Sequence, residues 1–178
     1  MLFDVNPRAF NRELARELKE RKLVAPPDWA AYAKTGSHRE RVPQEKEWWY
    51  HRASSIMRTV AVKGPIGTNK LAIKYGGRKN RGVAPDQFRE AGTGVIRKCL
   101  QQLEKSKLIK QVTIKSHKGR VLTKEGAALM KVVSSRVSKE PAAHVFRDRF
   151  VKEKEKPAAP AAPAPAAKPA KAPKEAQA

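Results

Sequence analysis

Residues 93–123 read TGVIRKCLQQLEKSKLIKQVTIKSHKGRVLT, and their periodicity decides the fold. Val95, Ile96, Cys99, Leu100 and Leu103 recur at intervals of three and four, which predicts one buried face of a helix over 93–106. Arg97, Lys98, Gln101 and Lys105 point the other way on the same wheel. Residues 110–115 then alternate polar with apolar, the pattern of a half-buried strand. Ser116-His117-Lys118-Gly119 is expected to turn, with a glycine available for positive φ, and Arg120-Val121-Leu122 to return as the partner strand. Thr123 is placed to cap a last helix whose Ala127, Met130, Val133 and Val137 share a face.

Upstream, a longer helix is expected over 45–62. At about 100° per residue, Trp49, Ala53, Ile56, Met57 and Val60 fall together and face the core. His51, Arg52, Ser55, Arg58 and Thr59 fall on the opposite side, and Trp48 lands with them. Lys63-Gly64-Pro65-Ile66-Gly67-Thr68 reads as a turn-rich loop and Leu71-Ala72-Ile73-Lys74-Tyr75 as a short strand. Gly76-Gly77-Arg78-Lys79-Asn80-Arg81-Gly82 reads as a glycine-bounded basic loop, and residues 85–91 as a short helix. Nearer the start, Asn6 and Pro7 open a helix striped by Phe10, Leu14 and Leu18, and residues 28–33 suggest a short second one. The fold class is therefore mostly α: a winged-helix domain (a helix-turn-helix with a two-stranded wing) over 45–138, preceded by a helical pair over 1–44.

Composition changes near Lys139. Residues 157–168 contain only proline, alanine and one lysine, which prevents a helix and offers nothing large to bury. Residues 139–178 are expected to form a largely disordered basic tail. The chain carries 39 Lys and Arg against 17 Asp and Glu, a net charge of +22, where a small domain needs only ~2–8 charges for solubility. The tail holds nine of the basic and five of the acidic residues, so +18 remains on residues 1–138. The folded part is itself basic, which implies a polyanionic partner. No run approaches the ~18 apolar residues of a membrane span, and the first residues lack a secretory signal pattern. No membrane partner is expected. A lone cysteine, Cys99, allows no intrachain disulfide.

Charge distribution points to the surface that would bind. Eight basic residues and no acidic one lie between Glu47 and Asp86, and seven basic residues lie between Glu104 and Glu125. Surfaces of this kind suit phosphate binding with counterion release. The residues expected to contact RNA are Trp48, Arg52, Arg58, Lys63, Lys70, Lys74, Tyr75, Gly76, Gly77, Arg78, Lys79 and Arg81. To these are added Arg97, Lys98, Lys118 and Arg120. The glycines of the basic loop allow close approach of backbone N–H groups to a phosphate, though an ordinary turn has the same composition. Trp48 has two readings, packing against the N-terminal helices or stacking on a base. Catalysis finds no support: the four histidines lack metal-ligand spacing and one cysteine cannot build a zinc cluster. Cys99 lies on an apolar helix face, as a structural thiol does. No enzyme activity, cofactor, metal or small-molecule substrate is expected.

Several segments together resemble one family. Trp48-Trp49-Tyr50-His51-Arg52-Ala53-Ser54-Ser55 is similar to an aromatic-aromatic-Tyr-x-Arg-Ala-Ala/Ser-Ser segment of the archaeal and eukaryotic small-subunit ribosomal protein nineteen family. Tyr75-Gly76-Gly77-Arg78 resembles its Tyr-Gly-Gly-Arg motif, Leu100-Gln101-Gln102-Leu103-Glu104 its Leu-Gln-x-Leu-Glu signature, and Leu122-Thr123-Lys124-Glu125-Gly126 its Leu-Thr-x-x-Gly helix start. The resemblance covers residues 3–138. Gly92 departs from it, standing where a small Ser, Ala or Asn is expected, and the Ala/Pro/Lys extension is unusual. The resemblance implies a winged-helix component of the small-subunit head, bound to small-subunit ribosomal RNA and neighbouring ribosomal proteins. It also implies a role in pre-ribosomal RNA maturation and assembly, and a cytoplasmic, ribosomal location, with nucleolar passage in a eukaryote. Arg52, Arg58, the segment around Arg78 and the Arg97-Lys98 pair match the family's RNA-facing basic positions. A winged-helix DNA-binding regulator is the alternative, but it would concentrate base-reading donors on one helix.

Overall fold

The computed structural model describes residues 4–114 and 117–139. Among them are five α-helices and two antiparallel hairpins. Helix α1 (Pro7–Glu20) starts where Asn6 Oδ1 accepts the Arg8 amide at 3.0 Å, with Pro7 in the first turn. Phe10, Leu14 and Leu18 of α1 are fully buried. A 3₁₀ turn (Asp28–Ala31) stands where a second helix is expected, so the helical pair reduces to one helix and a single turn. Helix α2 (Trp48–Lys63) buries Trp49, Ala53, Ile56, Met57 and Val60 as its wheel requires. It also buries Thr59, whose hydroxyl bonds the Ser55 carbonyl at 2.8 Å, so the polar face is narrower than the wheel suggests.

Two elements exchange type relative to the sequence reading. Residues 71–75 are not a strand but the end of helix α3 (Thr68–Tyr75), which buries Leu71 and Ala72 and leaves Ile73 exposed. A run as short as Leu71-Ala72-Ile73 does not separate helix from strand by period alone. The segment from Gly77 on is not a loop: β1 (Gly77–Arg81) pairs antiparallel with β2 (Ala84–Arg89), where a helix was expected. Arg81 faces Ala84 across a tight turn in which Asn80 Oδ1 accepts the Gly82 amide at 2.8 Å and Gly82 takes φ +71°. All of β2 is exposed, so no buried face marks it in the sequence, and Pro85 is tolerated on an edge strand.

Helix α4 (Thr93–Lys105) buries the predicted face of Val95, Ile96, Cys99, Leu100 and Leu103. The wing follows as β3 (Ile109–Ile114) and β4 (His117–Leu122), with Ile114 opposite His117 and Ile109 opposite Leu122. The second strand thus begins three residues earlier than expected, taking in most of the predicted turn; residues 115 and 116 lie outside the described residues. Ile66 and Arg120 exchange two backbone hydrogen bonds, of 3.3 and 3.1 Å, which places a third extended segment beside β4. Helix α5 (Lys124–Lys139) buries Leu129, Met130, Val133 and Val137. The tail expected over 139–178 lies, apart from Lys139, outside the described residues.

One continuous core joins α1, α2, α4 and α5. At its centre Trp49 is fully buried, and its indole N–H donates to Gln102 Oε1 at 2.9 Å. The Gln102 amide in turn donates to the Ala25 carbonyl at 2.6 Å. Glu17, buried on α1, pairs with both Arg21 and Arg136 and so ties the first helix to the last.

Thr123 fastens α5 to the end of α4. Its hydroxyl approaches the Leu108 carbonyl at 2.9 Å and accepts the Gly126 amide at 3.1 Å. The helix is drawn so close that a Cβ at Gly126 would lie 2.3 Å from the Leu108 carbonyl oxygen. Gly→Ala inside a helix ordinarily stabilises by ~1 kcal/mol. Here overpacking against backbone reverses the sign and costs ~1–3 kcal/mol. Gly126→Ala should lower the melting temperature by roughly 3–10 °C, whereas an unchanged or raised value would show that α5 is free to move off Leu108.

Candidate nucleic-acid interface

The outward side of α2 and α3 collects cations without anions. Arg52 is half-buried and lies over the Tyr75 ring, 4.3 Å from its centroid. Burial pushes the Arg52 guanidinium below its ordinary value and Arg39 adds repulsion, against the favourable neighbourhood of Tyr75. Tyr75 is held in turn by a 2.9 Å hydrogen bond between its hydroxyl and Ser55. Lys74 donates to the Thr59 hydroxyl at 2.6 Å. Burial lowers the Lys74 pKa, and repulsion from Lys63 and Arg58 lowers it further. The Arg58 Nε is buried without a hydrogen-bond partner.

Some cations elsewhere are neutralised. Among the described residues, carboxylates pair with Arg16 and Lys19 of α1, Arg21 just after it and Arg136 of α5, and Glu104 pairs with Arg120 at 2.7 Å. Arg52, Arg58, Lys63, Lys70 and Lys74 have no carboxylate in any ion pair among those residues. Arg120, expected on the interface, is therefore half-committed to a structural ion pair.

Two clefts flank this side. The first, about 490 Å³, brings Trp48, Arg52 and Tyr75 together with Arg39 and Arg41. The second, about 830 Å³, brings Lys70 together with Lys118 and Arg120 of the wing. Arg78 and Arg81 extend into solvent on the β1–β2 hairpin; Lys79 is half-buried, and the Arg81 Nε donates to the Pro85 carbonyl at 2.8 Å. Gly76 is needed sterically, since a Cβ there would meet the Arg89 carbonyl at 2.6 Å, and Gly77 packs tightly, a Cβ there lying 3.1 Å from the His38 ring. That is tight packing at the hairpin base and assigns no phosphate cradle to these glycines. Arg97 and Lys98 are exposed on α4 and line neither cleft.

Trp48 shares features of both readings. It is half-buried, edge-on to Trp49 at 5.3 Å, and it borders the first cleft. Arg39 and Arg41 were missed by sequence reasoning because their segment has no periodicity. It is placed by tertiary pairing of Gly36 with Ala91, and by the Gly92 amide donating to the Thr35 carbonyl at 2.9 Å. A Cβ at Gly92 would sit 3.3 Å from that carbonyl oxygen, a close fit at the position where the chain departs from its family pattern.

The fold and this surface define a small, basic, mostly helical protein with two antiparallel hairpins, and no helix among the described residues is long and apolar enough to cross a membrane. Residues 1–140 match the family of ribosomal protein S19e. The small ribosomal subunit protein eS19 of Aeropyrum pernix is 44% identical over 131 residues, which cover 72% of this chain and 84% of that protein. The small ribosomal subunit protein eS19G of Ascaris suum is 39% identical over 123 residues, 69% of this chain and 82% of its own. That named eS19 from Mya arenaria is 32% identical over 139 residues, 78% and 91%. The chain belongs to the ribosomal protein S19e family, a family of structural components and not of enzymes.

Cys99 fits that assignment. Burial pushes its thiol up to about 12, only partly opposed by Arg52. The thiolate is the reactive form, so at pH 8 the native chain should react with a thiol reagent roughly a thousand-fold more slowly than the chain in denaturant. Comparable rates in a stopped-flow assay would mean that Cys99 is neither buried nor inert.

Proposed function

We propose that this chain is a structural component of the small ribosomal subunit and binds small-subunit ribosomal RNA through the α2–α3 side, the β1–β2 hairpin and the wing. The observation that carries this reading is the α2–α3 side, where Lys74 is crowded by Lys63 and Arg58, Arg52 is crowded by Arg39, and none of Arg52, Arg58, Lys63 and Lys74 has a carboxylate in an ion pair among the described residues. Such crowding costs stability in the free protein and is relieved by a polyanion. The family and the names of its relatives supply the ribosomal context.

The order of elements supports a winged helix: α2, the extended segment at Ile66, α3, α4, then β3 and β4 as the wing, with β1–β2 inserted between α3 and α4. Contact with neighbouring proteins of the subunit head, support of pre-ribosomal RNA maturation and a cytoplasmic ribosomal location belong to the same proposal. A DNA-binding regulator would read bases from α4. Cations without an ion pair among the described residues are instead spread over α2, α3, α4 and both hairpins, so no single helix is singled out.

The test is affinity for small-subunit ribosomal RNA between ~50 and ~200 mM salt, where log K should fall with a slope of −0.7 to −0.9 per phosphate neutralised. Arg58→Ala should flatten that slope by about one unit and leave the melting temperature nearly unchanged. Ile56→Asp should instead unfold the domain, because it buries a charge at a position with no exposure. Arg52→Ala should weaken binding and also cost some stability, since its guanidinium is stacked on Tyr75. Co-sedimentation with small subunits in a sucrose gradient should follow affinity across the series. A flat salt dependence, or tagged protein absent from small subunits, would contradict the proposal.

A further inference from the structure

The first cleft is larger and less polar than phosphate binding requires. A phosphate needs only converging donors, whereas about 490 Å³ lies within the ~300–1,000 Å³ of sites that enclose small organic groups. Its lining combines guanidinium groups of Arg39 and Arg41 with an indole, a valine and a proline: Trp48, Val42 and Pro43. Val42 is exposed, an apolar side chain left at the rim.

The two rings of the cleft are not equivalent. Tyr75 already carries the Arg52 guanidinium over its ring and spends its hydroxyl on Ser55. The Trp48 indole makes no hydrogen bond among the described residues, while that of its neighbour Trp49 is satisfied by Gln102. The Trp48 plane is fixed at 77° to Trp49. That orientation exists before any ligand arrives. Glu45 also lines the cleft, 3.9 Å from His51. A carboxylate there repels a phosphate but accepts hydrogen bonds from an exocyclic amino group.

We propose that this cleft takes one unstacked nucleotide of a single-stranded RNA segment, its base against the Trp48 indole and its flanking phosphates at Arg39 and Arg41. The proposal rests on the RNA-binding reading above and adds a base-contacting site where that reading needs phosphate contacts alone. Stacking on an aromatic side chain tolerates any base, with affinity lost when either partner is removed.

The experiment compares two fluorescent octamers of equal charge at one salt concentration: octaadenylate, and an abasic ribose-phosphate octamer. The full-length protein should bind octaadenylate about ten-fold or more tightly than the abasic octamer. Trp48→Ala should bring the two affinities together, and Trp48→Phe should restore part of the difference, with melting temperatures measured for both. Val42→Asp, on the exposed rim, should also shrink the ratio if Trp48→Ala proves unstable. Equal affinity of the unmodified protein for both octamers would overturn the base site and leave the phosphate reading standing. A preference that survives in Trp48→Ala and Val42→Asp would place the base elsewhere and overturn the assignment to this cleft. Binding to neither octamer, even at low salt, would overturn the RNA reading and the base site with it.

Discussion

The burial of Trp49 is the constraint from which the rest of the structure follows. An indole with no solvent exposure brings a large apolar surface and one donor that must be satisfied. Gln102 on α4 satisfies it and passes the bond on to the Ala25 carbonyl, so a single relay aligns α2, α4 and the segment after α1. Trp29 and Trp48 both pack edge-on against the same ring, at 5.5 and 5.3 Å. Truncating a residue so buried typically costs ~3–5 kcal/mol, and here it would also leave Gln102 Oε1 without its donor. With Trp49 facing inward, the rotation of α2 is fixed. Arg52 and Arg58 are then turned toward α3 and solvent because of where they stand on the helix.

The electrostatics follow from that rotation. Glu13 and Glu17 of α1 are spent on Arg16, Arg21 and, on α5, Arg136, and Glu104 on the wing. The cations of α2 and α3 have no carboxylate in an ion pair among the described residues. The lowered pKa of Lys74 expresses this, with burial first and Lys63 and Arg58 after it. His38, at the base of the hairpin, is likewise lowered by burial and then by Arg39 and Arg52. Since stability is usually marginal, uncompensated repulsion of this kind is most simply understood as preparation for an anionic partner. Membership of the ribosomal protein S19e family gives that partner a context.

Much of this was legible in the sequence because burial imposes a period. The faces of α1, α2, α4 and α5 repeat every three to four residues, and the residues expected inside are buried except Ala127, which is half-buried while Leu129 is buried on α5. The β1–β2 hairpin was not legible, since residues 84–89 are all exposed and a strand without a buried face has no alternation to read. Only the Asn80-x-Gly82 turn signalled it. Helix α3 was misread because its exposed Ile73 made a continuous apolar run out of a half-buried turn. At the interface, the cations of α2 and α3 stood out as an acid-free stretch, whereas Arg39 and Arg41 reach the cleft through a long-range pairing at Gly36 that no local pattern encodes.

The central claim is that RNA lies against the α2–α3 side and the adjoining hairpin. Ultraviolet cross-linking of assembled small subunits, followed by mapping of RNA-linked peptides, tests it most directly. The account predicts adducts within residues 39–81, with Trp48 and Tyr75 as photoreactive rings in that stretch. Adducts confined to α1 and α5, with none between residues 39 and 81, would contradict it.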